Sequence, residues 1–213
     1  MKIAPSLLAA DFLNLQKDIQ KVSTADYLHI DVMDGTFVPN ISFGFSVIEP
    51  LSKTDTPELD VHLMTVNPQN WFKRLSELGI RMISFHYETA LENTAAYIDQ
   101  LHSLGCKAGV AVNPDVPVDS LYPYIGKADF FLVMSVFAGF GGQKFIPETI
   151  ERISALRSKI DELGAGTFIQ VDGGVGLSNI SALQKCGADI AVAGSAVFKT
   201  DDPSAAIAAL REA

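Results

Sequence analysis

Eight short apolar, β-branched runs mark the chain at about 2–6, 27–32, 59–64, 81–85, 107–112, 129–134, 167–171 and 190–193. The stretches between them carry helical spacing, as in "NPQNWFKRLSELG" from Asn67, "NTAAYIDQLHSLG" from Asn93 and "PETIERISALRSKIDELG" from Pro147. Each of these three ends at glycine, a common helix stop. Strands alternating with helices imply a parallel sheet covered by helices, either an open doubly wound sheet or a closed barrel. The count of eight favours a (β/α)8 TIM barrel, and short connections fit 213 residues into one. With 48% hydrophobic residues and no low-complexity linker, residues 1–213 are expected to form a single barrel domain.

Sixteen Lys plus Arg against twenty-five Asp plus Glu give a formal charge of −9, with no basic run. That balance argues against nucleic acid as a partner. It leaves room for a small phosphorylated ligand, because backbone N–H groups bind phosphate without net positive charge. Cys106 and Cys186 form no Cys-x-x-Cys pair or zinc spacing and read as reduced core thiols. The N-terminal "MKIAPSLLAADF" is too short and interrupted to be a secretory or membrane segment, and no later run reaches bilayer length. The expectation is a cytoplasmic protein with no membrane contact.

Barrels of this kind place their chemistry at the C-terminal ends of the strands, which is where the polar residues fall. In "HIDVMDG", strand alternation puts His29, Asp31 and Met33 on one face and Ile30 and Val32 on the other. "DVHLM" repeats the pattern with His62 and Met64, and "FIQVDGG" brings Asp172 to the same end. His29, Asp31, His62 and Asp172 therefore make a four-ligand cluster. Mixed imidazole and carboxylate donors suit one divalent metal ion such as zinc, iron, cobalt or manganese. A single strand-end histidine is more often structural than ligating; the convergence of four groups carries the reading. Asp34, before Gly35, reads as turn chemistry. His86 at the end of the fourth strand reads as structural, and His102 as an exposed helical residue. Met33, Met64 and Met134 end strands at the mouth, where core filling and substrate contact are equally open.

Glycine collects in the last three strand-end loops: "GFGG" (Gly139, Phe140, Gly141, Gly142), "DGG" (Gly173, Gly174) and "AGSA" (Gly194, Ser195). Barrels often bind phosphate there, on exposed amides and a helix N-terminus. Ser195 can add a hydroxyl donor.

Taken in order, "IAPSLLAADF", "HIDVMDGTFVPNISFG", "DVHLM", "KAGVAVNP", "GFGGQKFIP", "VDGG" and "GADIAVAGSAVF" resemble the ribulose-phosphate 3-epimerase family, ribulose-phosphate-binding TIM barrels, over essentially the whole chain. The resemblance implies that His29, Asp31, His62 and Asp172 bind the metal, and that Asp31 and Asp172 double as the two acid/base groups. It implies that Ser6, His62, Met33, Met64 and Met134 border the substrate. Gly139, Phe140, Gly141, Gly142, Gly173, Gly174, Gly194 and Ser195 fall where similar proteins hold the phosphate. It also implies a homo-oligomer and no organic cofactor.

The implied activity is epimerisation at carbon 3 of D-ribulose 5-phosphate to D-xylulose 5-phosphate. One carboxylate removes a proton alpha to the ketone, and the other returns one to the opposite face of an enediolate. D-allulose 6-phosphate, one carbon longer, is the alternative substrate. The chain departs from the family at Phe137 and Ala138, where Asn-Pro is usual, and at Gln170, where glutamate is common. The Asp-x-Lys-x-x-Asp signature of related decarboxylases and aldol-type synthases is absent, because "DVMDG" has methionine at the lysine position. A non-catalytic sugar-phosphate sensor would use the phosphate loops and have no need of both aspartates, and a scaffolding module would need neither.

Overall fold

A computed structural model describes all 213 residues and contains the eight expected strands. They are β1 (Lys2–Pro5), β2 (Tyr27–Met33), β3 (Glu58–Met64), β4 (Met82–His86), β5 (Lys107–Val112), β6 (Phe130–Met134), β7 (Phe168–Asp172) and β8 (Ile190–Ala193). All pairings are parallel, in the order β1-β8-β7-β6-β5-β4-β3-β2. The remaining seam, between β1 and β2, closes through a Ser6–His29 bridge and an Asp26 N–H donated to the Ile3 carbonyl at 3.1 Å. The chain is thus a nearly closed (β/α)8 barrel.

Helices α1 (Leu15–Lys21), α2 (Phe45–Leu51), α3 (Gln69–Glu77), α4 (Tyr87–Ala90), α5 (Thr94–Ser103), α6 (Thr149–Glu162), α7 (Ile180–Lys185), α8 (Ser195–Phe198) and α9 (Pro203–Glu212) fill the connections. Between β5 and β6 only a 3-10 helix forms, Val118–Tyr124, where Pro123 removes an amide donor that an α-helix would need. The glycine stops act as the sequence suggests. At the end of α3, Gly79 takes φ +85°, and the Gly79 and Ile80 amides return to the Ser76 and Leu75 carbonyls. That closure satisfies carbonyls the helix end would otherwise strand.

Alternation then sorts each strand. Ile30, Val32, Val61, Leu63, Ile83, Phe85, Phe131, Val133, Ile169 and Val171 face outward into a buried shell shared with the helices. Each such side chain contributes roughly 1.5–3 kcal/mol on burial. Inside the barrel, Ala4, Tyr27, Met82, Phe130, Ile190 and Val192 form a separate plug. Phe130 fits because its ring lies where Gly109 has no side chain; a Cβ at Gly109 would sit 2.2 Å from the ring. With that end plugged, polar side chains further along the same faces gather toward the other. No helix is long and apolar enough to cross a membrane.

Candidate active site

Register decides which side chains meet. His29 lies beside Asp60, Asp31 beside His62, Met33 beside Met64, and Met134 beside Asp172. Around the barrel, β2 and β7 are separated by β1 and β8 on one side and by the other four strands on the other, so Asp31 and Asp172 approach from across the mouth. One ligand atom from each of His29, Asp31, His62 and Asp172 falls within 4.8 Å of the others. The structure therefore brings together all four residues of the expected cluster.

The geometry around the two imidazoles is directional. His29 Nε2 and His62 Nδ1 face Asp31 Oδ1 at 3.4 and 3.5 Å. Both nitrogens are buried and have no hydrogen-bond partner. The opposite nitrogens are held: His29 Nδ1 lies 2.6 Å from Asp60 Oδ2, which also accepts from Gln170 Nε2 at 2.5 Å, and His62 Nε2 lies 2.9 Å from His86 Nε2. Asp31 Oδ2 accepts from the Ser6 hydroxyl at 2.7 Å. Stranding a buried polar atom costs about 1–3 kcal/mol, so two unpartnered imidazole nitrogens beside two carboxylates fit a cation that would accept both lone pairs. The donor set, two imidazoles and two carboxylates without thiolate, suits a divalent ion.

The electrostatics separate the four groups. Burial, the largest influence on Asp31, opposes its ionisation, but His29 and His62 outweigh it and hold the carboxyl well below the usual range. Asp172 is pushed up to about 7, by burial first and then by the Asp31 charge. Burial also pulls on His29, yet the Asp60 and Asp31 carboxylates together raise it well above the ordinary imidazole value. His62 is pushed down to about 4, chiefly by burial. The two carboxyls are thus driven apart in acidity.

Above the cluster lies a cavity open to solvent. Ser6, Asp31, Asp172 and the methionines Met33, Met64 and Met134 line it, as do Gly139, Phe140, Gly141, Gly142, Gly173, Gly174, Gly194 and Ser195. His29 and His62 do not reach its wall; both are fully buried beneath it. The methionines are 1–4% exposed, so they pack as a top core layer while still forming part of the wall. Gly174 is required sterically: φ is +60°, and a Cβ would come within 2.5 Å of the Phe145 amide nitrogen. Gln143 donates to the Phe137 and Phe140 carbonyls and braces the loop after β6. At Phe137, where the family pattern breaks, the side chain is half exposed at the rim.

Asp34 behaves as a turn residue: its carboxylate accepts from the Thr36, Phe37 and Val66 amides, tying the β2 loop to the β3 loop. His102 is exposed and pairs with Asp129 at 2.8 Å. Cys106 is buried and Cys186 half-buried, both as free thiols. Sequence reasoning missed Asp60, and it marked Gln170 only as a departure from the family pattern, without its contact to Asp60. The signal was available, since each lies two residues before a cluster residue on the same strand face.

Three comparisons bear on this geometry. The family model described as "Ribulose-phosphate 3 epimerase family" matches residues 2–198. The Mycobacterium tuberculosis protein named ribulose-phosphate 3-epimerase is 43% identical over 210 residues, covering 98% of this chain and 91% of its own. A rice protein, "Ribulose-phosphate 3-epimerase, cytoplasmic isoform", is 40% identical over 216 residues, covering 99% and 93%. Among solved structures, a 3-hexulose-6-phosphate synthase superposes with TM-score 0.69 at 20% identity, covering 100% of this chain and 99% of its own. The orotidine 5'-phosphate decarboxylase of Pyrococcus horikoshii superposes with TM-score 0.70 at 14% identity, covering 99% and 97%. At those identities the structural likeness speaks to the fold alone.

Proposed function

The chain belongs to the ribulose-phosphate 3-epimerase family, and from that premise we propose that it interconverts D-ribulose 5-phosphate and D-xylulose 5-phosphate. The observation that carries this reading is the pair Asp31 and Asp172, two carboxyls reaching one cavity from across the barrel. Epimerisation at carbon 3 needs a base on one face of the sugar and an acid on the other. Asp31 and Asp172 stand where that base and that acid are needed. The reverse reaction exchanges their roles.

His29, Asp31, His62 and Asp172 would hold one divalent cation, zinc, iron, cobalt or manganese. When bound, it supplies Lewis-acid stabilisation of the charge that develops on the carbon 2 oxygen. Ser6 fixes the orientation of Asp31 through its 2.7 Å hydrogen bond. Met33, Met64 and Met134 give the reacting carbons an apolar wall that keeps water from protonating them. The Gly139–Gly142 loop with Gly173, Gly174, Gly194 and Ser195 would take the phosphate on amides and a hydroxyl. His62, buried beneath the wall, would serve as a ligand of the cation and not as a contact of the sugar.

The same reading places the protein in the cytoplasm and makes it self-associating, with exposed Leu13 and Ile41 as available apolar surface. Sedimentation velocity at several concentrations tests the association. Comparing kcat/KM of the metal-loaded protein on D-ribulose 5-phosphate and D-allulose 6-phosphate tests the substrate. Higher kcat/KM on the five-carbon sugar is the expected result; epimer from neither sugar would overturn the reading.

A further inference from the structure

His86 and Glu88 are buried or largely enclosed polar groups that the proposed proton transfer does not use. His86 ends β4, is fully buried and stacks on His62 with ring centroids 4.9 Å apart at 24°. Its Nε2 meets His62 Nε2 at 2.9 Å. Its Nδ1 faces Glu88 Oε2 and Oε1 at 3.3 and 3.4 Å, and Glu88 Oε1 is itself fixed by the Asn113 amide at 2.9 Å.

Two nitrogens in a neutral imidazole pair share one proton, so only two arrangements exist. In the first, His62 donates its Nε2–H to His86, leaving His62 Nδ1 as a lone pair aimed at the cluster and putting the His86 proton on Nδ1, against Glu88. In the second, His86 donates its Nε2–H to His62, whose proton then sits on Nδ1 and points at Asp31. The second arrangement blocks a metal ligand and also turns the His86 Nδ1 lone pair toward a carboxylate. The first gives every lone pair and proton a suitable neighbour once a cation is bound.

We propose that Glu88 is a positioning residue that, by accepting the Nδ1 proton of His86, selects the His62 tautomer able to ligate metal. The inference rests on the metal-binding reading above. A carboxylate two imidazoles away from the cation would act as the outer partner of a ligating histidine, one ring further out than usual. The chain continues from Asn113, whose side-chain carbonyl accepts the Ala138 amide at 3.0 Å, into the loop that borders the cavity.

The test uses Glu88→Gln, which keeps shape and lets an amide N–H donate to His86 Nδ1, favouring the blocked arrangement. Only four histidines are present, so nitrogen NMR of histidine-labelled protein resolves each tautomer. In metal-free wild type, where no ligation dictates the tautomer, His86 should already carry its proton on Nδ1. Zinc affinity of Glu88→Gln, by competition with a chromophoric chelator, should be about 10–100-fold weaker, while Glu88→Asp should retain part of it. Wild-type zinc affinity in a folded Glu88→Gln, or a His86 proton on Nε2 in metal-free wild type, would overturn the inference and leave the metal reading intact. If Glu88→Gln does not fold, the metal-free wild-type spectrum decides alone. Wild type that takes up no zinc would remove the metal reading and this inference with it.

Discussion

Asp60 Oδ2 lies 2.6 Å from His29 Nδ1, and both side chains are fully closed to solvent. The contact fixes the ring so that Nε2 faces Asp31, and Gln170 holds Asp60 in turn. The carboxylate that orients the ligand is thus itself oriented, from a strand on another part of the barrel.

Asp60→Asn should weaken metal binding by about 10–100-fold, since the amide is a poorer acceptor for His29 Nδ1–H and for the Gln170 amide that donates to the same oxygen. Chelator competition with zinc reads this directly. Unchanged affinity in a folded variant would show that the contact does not orient His29 for metal.

Asp172→Asn should lower turnover by about 10²–10⁴-fold or more, because it removes an acid/base group and a candidate ligand together. The fold should survive. Without metal the variant should melt higher than wild type at pH 8: Asp172 has a folded value of about 7, above its unfolded one, so its ionisation as pH rises destabilises the native state. Paired turnover and melting curves check both halves. Near-normal turnover would remove Asp172 from the chemistry.

Metal affinity should fall as pH falls. With no cation bound, His29 is held above its ordinary value and Asp172 near about 7, so both carry protons near pH 6 that a cation must displace. His62, at about 4, and Asp31, held low, carry none there. The slope should approach about two decades of affinity per pH unit on the acid side and become shallower once Asp172 ionises. Zinc titrations across this range, with proton release followed by an indicator, measure it. A flat profile would contradict the assignment of these two groups.

Gly174→Ala should raise KM and destabilise the protein more than Gly142→Ala. Both glycines have positive φ, which costs a residue with a Cβ roughly 1–2 kcal/mol. Only at Gly174 does the new carbon also meet backbone, at Phe145, whereas Gly142 opens on free space. Steady-state kinetics and melting of the two variants make the comparison, and equal effects would argue that strain alone matters.

The strands and the four-residue cluster were legible because both follow from one rule, alternation along a buried strand: His29 and Asp31, or His62 and Met64, share a face by spacing alone. The glycine loops were legible because they follow strands at the chemistry-bearing end. Less legible was what holds the ligands. The contacts of Asp60 with Gln170 and of His62 with His86 join residues from separate strands, and their pairing depends on barrel register, which spacing within one strand does not contain. The 3-10 segment Val118–Tyr124 reflects Pro123, which leaves the backbone there without a donor.

The most direct test is proton NMR of the metal-loaded protein with D-ribulose 5-phosphate in deuterated water. Deuterium entering at carbon 3 as D-xylulose 5-phosphate forms is the expected result, and its loss in both Asp31→Asn and Asp172→Asn ties the exchange to the two carboxyls. No exchange at carbon 3 in folded, metal-loaded protein would contradict the epimerase function.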